Sequence, residues 1–274
     1  MNKKIRAALL STPVGRIVLM PYRLWIALSY SAPVLRNTLS WLFASRELSN
    51  FTYHLSPNNV RYLAHMISTV TKCPVPRVQT YFEELQSNEE LINRVRSRLL
   101  ANGLRHSCDS SVMFGRRLGW YAFVRILKPR IVVETGVDKG LGAVVLCAAL
   151  LRNQAEGVPG QYFGTDINPR AGILFGEPYD RVGQILYGDS LLSLETIPSV
   201  DLFINDSDHS ADYERREYEA ILSKLSPEAV ILGDNSHATD VLARFSEANS
   251  RAFLFFKEQP ARHWYPGAGI GISF

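Results

Sequence analysis

The stretch that most constrains this chain is Ile131–Ala143, IVVETGVDKGLGA. Ile131, Val132 and Val133 form an unbroken apolar run, the pattern of a parallel strand covered on both faces. Glu134 follows at the strand's carboxyl end, where open α/β sheets place their ligand crevice. Gly136, Gly140 and Gly142 then let the backbone turn tightly, approach a ligand closely and open a helix. A single glycine turn of this sort admits many nucleotides, so its surroundings decide what it means.

From Pro129 onward the hydrophobic pattern alternates between strand and helix. Strands are expected at Ile131–Val133, Tyr162–Thr165, Gln184–Tyr187, Asp201–Asn205, Ala229–Leu232, Ala252–Lys257 and Gly269–Phe274, with helices at Leu141–Arg152, Asp212–Lys224 and Ala238–Ala248. That order predicts an α/β fold: a Rossmann-like, doubly wound, seven-stranded sheet. The last two strands, joined by PARHWYPGAG without a helix, should form an antiparallel hairpin. Its aromatic loop, Arg262–Gly267, is a candidate floor for an acceptor pocket.

Upstream lies an α-helical region. Ser56-Pro57 marks a helix start, Ser87 with Glu90 reads as a capping box, and Asn102-Gly103 closes that helix. A further helix spans roughly Met113–Leu127, and its Arg116, Arg117, Trp120 and Tyr121 read as packing and surface ion pairs. Three parts are expected: a basic amphipathic segment over 1–50, a helical cap over 51–112 and a catalytic body over 113–274.

The net charge of +4 is concentrated in the first part. Residues 1–48 carry seven basic side chains against Glu47 alone, so the remainder carries −2. A body without a basic footprint argues against nucleic acid as a partner. The uncharged run Leu24–Leu35 is too short to span a membrane, which needs roughly 20 apolar residues. Pro13, Arg16, Pro21 and Arg23 interrupt the apolar region a signal peptide would need. With Trp25 and Trp41 among its arginines, the segment suits either an anionic membrane surface or packing on the body or a second copy of the chain. Three widely spaced cysteines match no zinc or disulfide pattern, so the cytoplasm, or the inner face of the membrane, is the expected location.

Acidic residues end successive strands: Glu134, Asp166, Asp206 and Asp234, with Asp189 just after the third. Parallel strands bring these ends to one crevice. Asp166, about 30 residues past the glycine turn, suits a ribose diol. The glycine spacing of Gly136-Val137-Asp138-Lys139-Gly140 is not that of a dinucleotide turn, and Asp138 would repel a diphosphate. An uncharged or cationic nucleotide fits better.

These residues carry a family resemblance across about 113–274. ETGVDKGLGA resembles the first motif of class I S-adenosylmethionine-dependent methyltransferases, in the form found among catechol O-methyltransferase relatives. GTDINPRAG is similar to the second motif, YGDSLLSL to the third segment, VDLFINDSDHSADY to the fourth strand with its acidic loop, and VILGDNSH to the fifth. DSDH also resembles a loop of sugar and antibiotic-tailoring methyltransferases. The resemblance implies that Glu134, Gly136, Val137, Asp138 and Gly140 surround the methionine part of S-adenosylmethionine. By the same resemblance Asp166 and Ile167 meet the ribose, Asp189 and Ser190 flank the adenine, and Asp206 borders the cofactor. It further implies a divalent cation, Mg²⁺, on Asp206, Asp234 and Asn235. Where the family has a lysine base, this chain has His209.

An all-oxygen set of this kind suits Mg²⁺, which could orient and acidify an acceptor hydroxyl. His209 is then the candidate base, with Asp208 either the base or the group orienting it. The expected reaction is O-methylation of a hydroxylated small molecule or glycan. The alternatives keep the fold with metal-independent or N-methyl transfer, or make the chain a non-catalytic, membrane-associated assembly protein. The run Glu214, Arg215, Arg216, Glu217, Glu219 reads as a solvated helix face.

Overall fold

A computed structural model describes residues 3–109, 111–234 and 236–274. The chain divides into two units. One gathers the chain up to Ser45 with Arg262–Pro266, and the other holds Arg46–Ala261 with Gly267–Phe274.

The first unit contains α1 (Lys3–Leu10), α2 (Pro13–Val18) and α3 (Met20–Ala44). Thr12 caps α2 by accepting from the Gly15 N–H, and Pro13 occupies the first turn, where a missing N–H costs nothing. Arg6 donates to the Tyr22 hydroxyl and lies over its ring. Trp264, from the loop expected to floor a pocket, packs against Trp41 with ring centroids 5.5 Å apart. No helix among the described residues is long and apolar enough to cross a membrane.

In the second unit, α4 (Pro57–Thr71), α5 (Val75–Gln86), α6 (Glu89–Ala101) and α7 (Arg117–Leu127) precede β1 (Ile131–Thr135). Ser56 caps α4 as its sequence requires. The next cap is displaced by one residue: Asn88 accepts from Leu91 N–H, while Ser87 closes the end of α5 through Glu83. Then follow α8 (Leu141–Ala155), β2 (Gln161–Asp166), β3 (Gly183–Tyr187), α9 (Ser190–Thr196), β4 (Val200–Asn205), α10 (Ala211–Leu222), β5 (Leu225–Gly233), α11 (Val241–Ala248), β6 (Phe253–Lys257) and β7 (Gly269–Ser273).

The seven strands form one sheet in the order β3-β2-β1-β4-β5-β7-β6. The first five run parallel, and β7 pairs antiparallel with both β5 and β6. This is the expected Rossmann-like fold with its terminal antiparallel pair. Chain order reverses between β1 and β4, so the crevice opens beyond their carboxyl ends. Val133, Phe203, Tyr218, Ile221, Ile231 and Leu242 fill a core cluster between the sheet and its helices. On α7 every residue from Leu118 to Arg125 is buried, so this helix lies inside the second unit.

Candidate active site

Backbone register sets the site. The strands' ladders continue one residue past their ends: Gly136 N–H donates to Thr165, Asp206 N–H to Thr135 and Asp234 N–H to Asn205. Gly136, Asp206 and Asp234 therefore stand side by side across β1, β4 and β5. Gly136 has φ +83°, and a Cβ there would lie 1.9 Å from the Asp206 carbonyl oxygen. Only glycine fits where these two turns touch.

The half built on β1, β2 and β3 is made of short loops. Gly140, at φ +94°, starts α8. Asp166 ends β2 half-exposed, and its two carboxylate oxygens accept from the Asp138 and Asn168 N–H groups, each at 2.8 Å. Each oxygen keeps a lone pair for a hydroxyl, so the donor set fits a ribose diol. Lys139 Nζ neutralises Asp138 at 3.0 Å. Asp189 caps α9 through Leu191 N–H and accepts from the Tyr213 hydroxyl at 2.7 Å. Ile167 is exposed and Val137 buried. Glu134 is buried beside the start of α8, where its carboxylate accepts from the Tyr162 hydroxyl at 2.5 Å. Burial lifts its pKa to about 7, against the hydrogen bond and the pull of Arg117 and Arg116.

The half built on β4 and β5 is organised by an arginine. Arg116, at the start of α7, is 9% exposed. Its Nε lies 2.5 Å from Asp234 Oδ1, and its Nη2 donates to Asp234 Oδ2 at 2.9 Å. Nη2 also stands 3.6 Å from Asp206 Oδ2, while Nη1 donates to the Tyr53 hydroxyl at 2.9 Å. Tyr53 in turn donates to the fully buried Glu258. Burial opposes the arginine's charge, but Asp234, Tyr53, Asp206 and Glu258 together hold its proton well above the ordinary range. Burial, and then the adjoining Asp234, push the Asp206 carboxyl well up, against the pull of Arg116.

Residues 133–236 match the family model described as a methyltransferase domain. The second unit thus pairs that match with a Rossmann-like, seven-stranded sheet. Among solved structures, the O-methyltransferase TomG from Streptomyces achromogenes, involved in tomaymycin synthesis and bound to S-adenosylmethionine, superposes with a TM-score of 0.50. That match covers 71% of this chain and 94% of TomG at 14% identity. Cofactor-bound Rv0187 from MTB gives a TM-score of 0.51 over 66% of this chain and 89% of its own, at 15% identity. These likenesses are of fold. No curated protein sequence matches the chain.

The fold brings Glu134, Gly136, Asp166, Asp206 and Asp234 to one edge of the sheet. The expected metal set is not formed as drawn. Asn235 lies outside the described residues, and no group of three or more His, Cys, Asp or Glu among those described could hold a metal ion. Asp206 and Asp234 do meet, but they meet on Arg116, whose charge already satisfies them. Among the described residues, the two carboxylates of that set face an arginine and are not left open for a divalent cation.

His209 is exposed on the loop after β4, and Asp208 beside it accepts from the Ser210 N–H at the start of α10. The helix-face reading of α10 also needs correction. Arg215 and Glu219 are exposed, but Glu214 and Glu217 are fully buried. Glu217 accepts from Thr135, Ser190, Asn205 and Ser207, tying three strand-end loops together. Burial raises its carboxyl, while these donors pull it back. Its spacing from Tyr218 and Ile221 is the signal that could have marked it as inward-facing.

Proposed function

We propose that this domain transfers a methyl group from S-adenosylmethionine to a hydroxyl oxygen of a small-molecule acceptor. One observation carries the reading: an oriented, half-exposed Asp166 on β2 shares an edge with the Asp206–Asp234–Arg116 cluster beside the β1/β4 switch point. Asp166 would hold the ribose hydroxyls, Asp189 and Ser190 the adenine side, and the Gly136–Gly140 turn the methionine side. When bound, S-adenosylmethionine supplies a methyl group on a cationic sulfur.

A hydroxyl that gains a methyl group must lose its proton. His209, on the loop that leaves Asp206, is the proton acceptor in this reading, since a neutral imidazole nitrogen can take a proton from a nearby hydroxyl. A small molecule is preferred as acceptor because TomG serves tomaymycin synthesis within the same fold. Isothermal titration with S-adenosylmethionine tests it: micromolar binding to the wild type, weakened at least tenfold in Asp166→Ala, is expected. Absence of binding to the wild type would sink the reading.

A second property rests on the first unit. Leu24, Trp25, Leu28, Leu35, Leu39 and Phe43 of α3 are exposed beside Arg23 and Arg36. We read this apolar, basic helix as a contact for an anionic membrane surface. Flotation with phosphatidylserine vesicles should carry the full chain upward and leave a chain lacking residues 1–45 behind. Equal partitioning would remove the idea.

A further inference from the structure

The unusual feature of the acceptor half is that its cation belongs to the chain. In a metal-assisted site of this fold, two strand-end carboxylates are left open so that a divalent ion can bind them and an acceptor's oxygens together. Here each of the three nitrogens of Arg116 faces a protein oxygen. Nε lies 2.5 Å from Asp234 Oδ1, Nη2 donates to Asp234 Oδ2 at 2.9 Å and lies 3.6 Å from Asp206, and Nη1 donates to Tyr53 at 2.9 Å. The Nη2 bond to Asp234 is a charge-assisted hydrogen bond, and the close approach of Nε to Oδ1 adds Coulomb attraction beside it.

The surroundings keep the guanidinium there. Glu258 adds a further carboxylate 3.9 Å from Nη1, and it also accepts from Tyr53 and from the Ala268 N–H. The face of Trp120 lies 5.7 Å from the guanidinium carbon, a cation–π contact within reach. Arg116 immediately precedes α7, which is buried along most of its length, so its backbone is held. A cation anchored from four sides is a fixture of the site.

We infer that Arg116 is the resident cation of this methyltransferase site, standing between Asp206 and Asp234 where a divalent metal would otherwise bind. The inference rests on the transferase reading and deepens it. Arg116 acts as a positioning residue: its charge holds Asp206 and Asp234, with Nη2 bonded to Asp234 and Nη1 to Tyr53. An acceptor hydroxyl then meets a carboxylate already held by arginine. Chelation by a vicinal diol has no part in its recognition, so a single hydroxyl suffices.

The test is metal binding itself, measured by Mn²⁺ electron paramagnetic resonance on the full-length chain. The wild type should bind no Mn²⁺ at concentrations up to the millimolar range. Arg116→Gln removes the charge and leaves both carboxylates, and the folded variant should gain one Mn²⁺ site, lost again on adding Asp206→Asn. Micromolar Mn²⁺ binding by the wild type, abolished by Asp206→Asn, would overturn the inference. So would a folded Arg116→Gln protein that takes up no Mn²⁺. If Arg116→Gln fails to fold, the wild-type titration decides alone. S-adenosylmethionine binding, followed on the same samples, separates failure of this inference from failure of the transferase reading.

Discussion

The two halves of the crevice are built in different ways. On the β1–β3 side, the polar groups that would meet the cofactor are backbone turns and a strand-end carboxylate fixed by nearby N–H groups, as at Asp166 with Asp138 and Asn168. On the β4–β5 side, the cluster draws on residues 53, 116, 206, 234 and 258, from distant parts of the chain. The first half is local chemistry repeated at each strand end. The second exists only when α7, the segment before α4 and the β6–β7 connection have all come together.

This difference predicts where substitutions should hurt most. Arg116→Met removes the charge that Asp206, Asp234 and Glu258 share, leaving buried carboxylates without compensation. Breaking a buried ion pair from one side costs about 3–5 kcal/mol. Urea denaturation should report a loss of that size, whereas Arg215→Ala, which breaks only exposed pairs with Asp212 and Glu219, should leave the midpoint unchanged. An equal effect of both substitutions would mean that the acceptor half is no more interdependent than the protein surface.

The same difference explains what could be read from the sequence. Strand positions, the parallel sheet and the terminal antiparallel pair follow from apolar runs and glycine turns, which act over a few residues. The places of Glu134, Gly136 and Asp166 at strand ends were legible for that reason. Arg116 looked like a packing or surface residue because its partners lie up to 142 positions away, at Glu258. Nothing in the Arg116-Arg117 pair names a carboxylate. Glu217 was hidden differently: in a charged run it looks solvated, and only its helical spacing from Tyr218 and Ile221 turns it inward. Asp206 and Asp234 could be placed at strand ends from the sequence, but their contact with Arg116 could not, because a charge supplied by a distant part of the chain leaves no local motif.

Glu134 sharpens the comparison, since it belongs to the local half yet is as buried as anything in the other. Its pKa rises from 4.5 to about 7 because burial disfavours the carboxylate. The native state therefore holds a proton between pH 4.5 and 7 that the unfolded chain has released. By linkage, the stability that goes with this proton is fully present below pH 4.5 and is lost as pH rises through 7. At 1.36 kcal/mol per pKa unit, the loss is about 3 kcal/mol. Glu134→Gln carries no titrating group there, so its stability should fall less by that amount between pH 4.5 and pH 8. Asp206 and Glu217 titrate in both proteins, which makes the difference between the two urea-melt profiles specific to position 134. Parallel profiles would mean that Glu134 reaches water or a compensating charge in solution. The local half would then be as open at β1 as it is at Asp166.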